Sequence, residues 1–153
     1  MNPRLLFLLC LAAATLLRWL LAATHDLSPE EAYLALCGFA PAIAFFDGPA
    51  GTALCVAWGT SLAGAGGLGA ALLWPVFAAG ATLALYFLVR PLAGRPAACG
   101  TAVLLNLLPA FNSAALHPSS AMPVTMFVLI FFAAAWHAVE THAPAAWIVA
   151  GLA

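Results

Sequence analysis

The sequence has no lysine, and its four arginines and five acids are the only formal charges among 153 residues. Charged residues make up 6% of the chain, against about 25% in an ordinary soluble domain. So little charge excludes a water-soluble globular surface, and the hydrophobicity excludes intrinsic disorder. A net charge of −1 leaves nothing to neutralise the phosphates of a nucleic acid. The four cysteines, Cys10, Cys37, Cys55 and Cys99, form no CxxC pair or metal-ligand spacing. They read as small buried hydrophobes rather than as disulfides or metal ligands. No serine sits in a GxSxG motif. Gly64, Gly66, Gly67 and Gly69 lack the following lysine of a phosphate-binding loop. The long apolar runs carry no acid and no internal repeat, so an ion or proton relay of the transporter or channel kind has nothing to be built from.

What the chain does have is apolar length. Two thirds of its residues are hydrophobic (66%), and one hydrocarbon crossing takes about 20 of them. The reading is an all-α, polytopic membrane bundle forming one membrane domain over 1–153. Transmembrane helices are expected at 5–23, 68–89, 97–116 and 121–139. Residues 24–67 form an outer loop with interfacial or re-entrant helices, and 144–153 reads as the start of a truncated fifth helix. Pro75 and Pro109 fall inside two of the runs, which membrane helices tolerate. Arg18 lies about five residues from the end of the first run, where its long side chain can snorkel to the interface.

The arginines decide the ambiguous stretch from Pro49 to Gly67. Arg4 and the Arg90–Arg95 loop share the cytoplasmic face only if an even number of crossings separates them. The first run and 68–89 already make two, so Pro49–Gly67 lies at the outer side without crossing. The N-terminus is then cytoplasmic. The acidic stretch holding Asp26, Glu30, Glu31 and Asp47 faces outward with the His117–Ser120 connection, while His137, Glu140 and His142 face inward.

Ser28-Pro29-Glu30-Glu31 is a helix start: a serine cap, proline at the first helical position and a glutamate at the third. A carboxylate held there at the membrane face could also serve as a general base. Phe45-Phe46-Asp47-Gly48-Pro49 reads as a turn anchored by two aromatics, or as a positioner of substrate. His117 reads as a polar loop residue, and Ser119 or Ser120 as the cap of the helix that follows. Asn106 and Asn112 read as partners for hydrogen bonds between helices.

Together these pieces resemble the amino-terminal part of the C-type membrane glycosyltransferases, the polyprenyl-phosphate-sugar-dependent group that includes protein O-mannosyltransferases and the lipid-A aminoarabinose transferase. The family's Pro-Asp-Glu-Ala-Tyr-Tyr stands here as Pro29-Glu30-Glu31-Ala32-Tyr33-Leu34. Its Tyr-Phe-Asp-His-Pro-Pro stands as Phe45-Phe46-Asp47-Gly48-Pro49-Ala50. The resemblance implies transfer of a sugar from a polyprenyl-phosphate donor to an acceptor hydroxyl at the outer face of a bacterial inner membrane. It implies Glu30 as the catalytic base, with Glu31, Tyr33, Asp47 and His117 around the substrates. A Thr-Pro-Asp-type acid of the family is replaced here by His117-Pro118-Ser119. An arginine usual at the start of the second crossing is missing around Gly66 to Ala71. With so few outward cations to stabilise a leaving phosphate, the chain is expected to be inactive alone or completed by a second polypeptide. The alternative function is a non-catalytic relative acting as a membrane scaffold.

Overall fold

The computed structural model describes residues 3–39 and 50–153, and no strand occurs among them. Eight helices follow in order: α1 (Pro3–Thr24), α2 (Pro29–Phe39), α3 (Ala50–Ala63), α4 (Gly67–Ala71), α5 (Trp74–Leu107), α6 (Pro109–Leu116), α7 (Ala121–Thr141) and α8 (Pro144–Leu152). Three segments are long and apolar enough to cross a membrane: Leu5–Thr24, Gly67–Leu107 and Ala121–Thr141. The chain is an integral membrane protein.

The second of those segments is not one rod. Gly94 adopts φ 81° and ψ 173° inside α5, with Pro91 and Pro96 on either side. Positive φ suits glycine, and Pro96, which has no N–H and a fixed φ, falls in the first turn of the helix that restarts after Gly94, where proline is tolerated. Thr82 and Asn106 lie equally far in sequence from Gly94. On a straight helix they would stand about 36 Å apart at 1.5 Å per residue. Instead the Asn106 Nδ2 amide donates to Thr82 Oγ1 at 3.0 Å. The two halves of α5 therefore run antiparallel, with the turn at Gly94.

A second break separates α5 from α6. Pro109 has no N–H and its ring clashes with the carbonyl four residues back, so Leu108 is extended (φ −69°, ψ 123°). Leu105 O takes the Leu108 N–H instead, and the Asn112 side chain bridges the break: its Nδ2 donates to Asn106 O at 2.7 Å and to Leu108 O at 3.1 Å. The chain then continues through α6 to His117.

The contacts fix the packing order. α1 runs antiparallel to α4 and the first half of α5. Phe7 stacks on Tyr86 at 4.9 Å near one end, and Trp19 Nε1 donates to Leu72 O at 2.9 Å near the other. α7 runs parallel to that half of α5: Trp74 Nε1 donates to Ser119 O at 2.9 Å, and Phe87 and Ala133 line one cavity further along. α8 packs back on α7, and α3 lies between α2 and α4. At 14 residues, α3 is about 21 Å long, short of the ~30 Å hydrocarbon thickness. The core is Val56, Ala70, Trp74, Ala78, Ala81, Phe111, Ala115 and Met122. Alanine dominates because close helix approach, rather than exclusion of water, holds membrane helices together. The large apolar side chains of α1 and α7, such as Leu16, Leu20, Phe132 and Val139, point outward.

The α3–α4 hairpin depends on glycine. Gly64 (φ 86°) ends α3, its N–H bonded to Thr60 O at 2.9 Å. A Cβ on Gly59 would collide with the backbone oxygen of Gly69, whereas one on Gly51 would meet nothing. Gly59→Ala should cost about 1–3 kcal/mol through this overpacking, and Gly51→Ala should be neutral or stabilising by up to about 1 kcal/mol. Thermal unfolding of the two variants in detergent tests the pair. Equal melting temperatures would refute the close approach of α3 and α4.

Candidate active site

The candidate residues gather where α1 ends, α2 begins and α6 gives way to α7. The start of α2 is the capping box read from the sequence. Ser28 N donates to Glu31 Oε2 at 2.8 Å, and Glu31 N donates to Ser28 Oγ at 3.3 Å. The second oxygen of Glu31 reaches across the bundle: His117 Nδ1 lies 3.1 Å from Oε1. A carboxylate offers acceptors only, so Nδ1 carries the hydrogen in this contact, and in the neutral ring Nε2 is an acceptor. Glu31 is buried (7% exposed) while the His117 side chain is half exposed (53%). His25 lies edge-on to His117, with ring centroids 6.1 Å apart. The Glu31–His117 contact is the only approach of a basic side chain to a carboxylate within 4.0 Å among the described residues.

Glu30 is in a different position from its neighbour. It sits in the same first turn of α2 but is exposed, and no described side chain engages its carboxylate. Two adjacent carboxylates are thereby separated by environment, one tied into cap and imidazole, the other open. Tyr33, on the next turn, is partly exposed and has an interaction of its own. Asp47 and the Phe45–Pro49 turn lie outside the described residues. The loop before α7 departs from the expected cap, since Ser120 takes the N-cap position without a side-chain hydrogen bond.

Arg18 also departs from expectation. It does not snorkel outward but is buried, 3% exposed. Its Nη2 donates to Asn106 Oδ1 and Asn112 Oδ1, both at 2.8 Å, and Nε donates to Asn112 Oδ1 at 3.2 Å. The guanidinium carbon stands 5.5 Å from the Phe111 ring centroid, within cation–π range. Nη1 is buried without a partner. The apolar run around Arg18 concealed this arrangement, because the asparagines that draw it inward are about ninety positions away. They face it only once the helix breaks at Leu108. The cysteines are all unpaired. Cys10 is exposed rather than buried, and burial pushes the Cys55 thiol up from its ordinary value, making it a packing residue rather than a nucleophile.

Residues 47–153 match the sequence profile of the dolichyl-phosphate-mannose-protein mannosyltransferase family. The chain belongs to that family. The match extends over more than two thirds of the sequence and takes in His117 and its loop, α3 and all of the helices after it. It begins after α2, so Glu30, Glu31 and Tyr33 lie ahead of it. No similar curated protein and no similar solved structure was found. Family and apolar helices together make the protein a membrane glycosyltransferase of the mannosyltransferase-like kind.

Proposed function

We propose that the protein transfers a sugar from a polyprenyl-phosphate donor to an acceptor hydroxyl at the outer membrane face, with Glu30 as the general base. The observation that carries this reading is the division of labour at the start of α2. Glu31 caps the helix and ties it to His117, and this fixes the turn from which the open Glu30 carboxylate projects. A base must lie within hydrogen-bond reach of the proton it takes and must not be consumed by other partners. Glu30 meets the second condition and Glu31 does not. The leaving phosphate needs cationic or donor groups, and at this end of the bundle His25 and His117 are the described candidates.

A second reading of the base rests on the same contact. With Nδ1 turned to Glu31, His117 can present Nε2 as an acceptor, which makes Glu31–His117 a carboxylate–imidazole dyad. It would stand where the family's second acid is missing. A polypeptide that completes the phosphate site belongs to both readings.

The direct test is purified protein in nanodiscs with a radiolabelled polyprenyl-phosphate sugar, mannose first, and a hydroxyl-bearing acceptor. Transfer supports the enzyme, and its dependence on an added membrane fraction identifies a completing partner. Donor binding without transfer under both conditions would instead favour a non-catalytic scaffold.

The orientation has its own check. We read the segments as four crossings, with the N-terminus inside: α1, the first half of α5, its second half continued by α6, and α7. Leu92 is exposed beside that turn. In a background with the four native cysteines replaced by alanine, Leu92→Cys should label with a membrane-impermeant thiol reagent only after the inner face is opened. Labelling from the outside would reverse the orientation and remove the outer-face assignment.

A further inference from the structure

At the far end of the bundle from His117, α5 and α7 flank an open-sided cavity of about 530 Å³ lined by Phe87, Arg90, Pro91, Ala133, Trp136, His137 and Glu140. The spacing explains why these residues meet. Positions 87, 90 and 91 share one face of α5. Positions 133, 136, 137 and 140 share one face of α7, and parallel packing sets the two faces opposite each other. The volume lies within the few hundred to a thousand Å³ of small-ligand sites. Arg90 lies about 24 Å along α5 from Trp74 at 1.5 Å per residue, and Trp74 is bonded to Ser119 beside His117. The cavity therefore stands close to one hydrocarbon thickness from the candidate active site, at headgroup depth on the opposite face.

Its chemistry is divided. Arg90 offers a fork of donors and His137 a further ring nitrogen, while Glu140 offers only acceptors. Phe87 and Trp136 supply aromatic walls. Arg90 and Glu140 line the same space, yet no salt bridge joins them. A ligand carrying an anion and a cation a few bonds apart would satisfy both. At this depth, beside the outward-facing Phe132 and Val139, such a ligand is a membrane lipid.

We propose that this cavity binds the headgroup of an aminophospholipid of the phosphatidylethanolamine type. The phosphate is held by Arg90 and His137, the primary ammonium donates to Glu140, and the ring of Trp136 lies against the cationic end. Glu140 gives the site its selectivity: a primary ammonium has N–H groups to donate, whereas the quaternary ammonium of phosphatidylcholine has none. The site is independent of sugar transfer and can be tested without it.

The experiment titrates detergent-purified full chain with short-chain phosphatidylethanolamine, phosphatidylcholine and phosphatidylglycerol, and with inorganic phosphate, reading bound lipid by native mass spectrometry. Phosphatidylethanolamine should bind about tenfold more tightly than phosphatidylcholine, the order of one charge-assisted hydrogen bond. Glu140→Gln, which keeps an acceptor oxygen but loses the charge, should cut that preference several-fold without weakening phosphatidylglycerol, and Arg90→Gln should weaken all three lipids. Both positions are exposed, and unchanged melting temperatures would establish that the variants fold. Equal binding of the two zwitterionic lipids would overturn the proposal. So would a preference for phosphatidylglycerol, binding of inorganic phosphate in place of lipid, or a Glu140→Gln variant with intact selectivity.

Discussion

The Glu30→Gln variant is expected to lower kcat for sugar transfer by about 10²–10⁴-fold, the range associated with removing a positioned general base, with little change in KM for the donor or in melting temperature. The small stability effect follows from the structure: Glu30 is exposed and unengaged, so glutamine loses only the first-turn charge facing the helix dipole, about 0.3–1 kcal/mol. Glu31→Ala should behave in the opposite way. It removes the reciprocal cap with Ser28 and the contact to His117. A lost cap costs about 0.5–2 kcal/mol, and the start of α2 would loosen from the α6–α7 loop. Activity then falls through misplacement of Glu30 and should partly return in Glu31→Gln, since glutamine still closes a capping box. His117→Asn separates the two assignments of the base. If Glu30 is the base, His117→Asn reduces activity modestly and the Glu30→Gln loss stays large. If the Glu31–His117 dyad is the base, His117→Asn carries the large loss and Glu30→Gln is tolerated. An unaltered kcat in Glu30→Gln would remove Glu30 from the mechanism.

How much of this was legible in the sequence differs from element to element. The capping box was legible because its parts lie within four residues and its chemistry is local. The expected turn between Arg90 and Arg95 coincides with Gly94 and its flanking prolines, again a local signal. The interhelical role of Asn106 and Asn112 followed from the expense of burying an amide without a partner in hydrocarbon. Their common partner did not follow. An arginine near the end of an apolar run can turn outward to the headgroups or inward to acceptors, and composition cannot distinguish the two. The choice depends on the break at Leu108, which aims both asparagines at α1. The Glu31–His117 contact was equally hidden: the two residues were candidates separately, but 86 positions apart nothing local joins them. The cavity at the opposite end depends on α5 and α7 running parallel, which short connections alone would not suggest. An antiparallel strand of helix has to be threaded between them first.

Arg18→Met is expected to destabilise the folded protein by about 2–4 kcal/mol, a balance between two opposing costs. Burying a guanidinium without a counter-charge is unfavourable, and Nη1 has no acceptor, so removing it relieves desolvation. Against that, the variant loses three charge-assisted hydrogen bonds and strands Asn106 Oδ1 and Asn112 Oδ1 between helices. Neutral interhelical bonds in membranes average only about 0.6 kcal/mol, but hydrogen bonds to charged groups contribute about 1.5–3 kcal/mol, and a stranded buried acceptor costs a further 1–3 kcal/mol. The losses therefore exceed the relief. Methionine fills most of the volume against Phe111, so the effect reports the network rather than a cavity. The network also joins three separate parts of the fold: α1, the second half of α5 through Asn106, and α6 through Asn112. Arg18→Lys should recover only part of the loss, because an ammonium in the place of Nη2 has no second nitrogen to replace the Nε bond to Asn112 and no planar group to lie over Phe111. In a double-mutant cycle with Asn106→Leu, the two substitutions should couple by more than about 1 kcal/mol, since each removes a partner the other needs. Thermal unfolding in detergent reads the four variants against the parent protein. A midpoint unmoved by Arg18→Met would mean that the guanidinium reaches the interface after all, and the α1–α5–α6 contact would then have to rest on the small-residue packing alone.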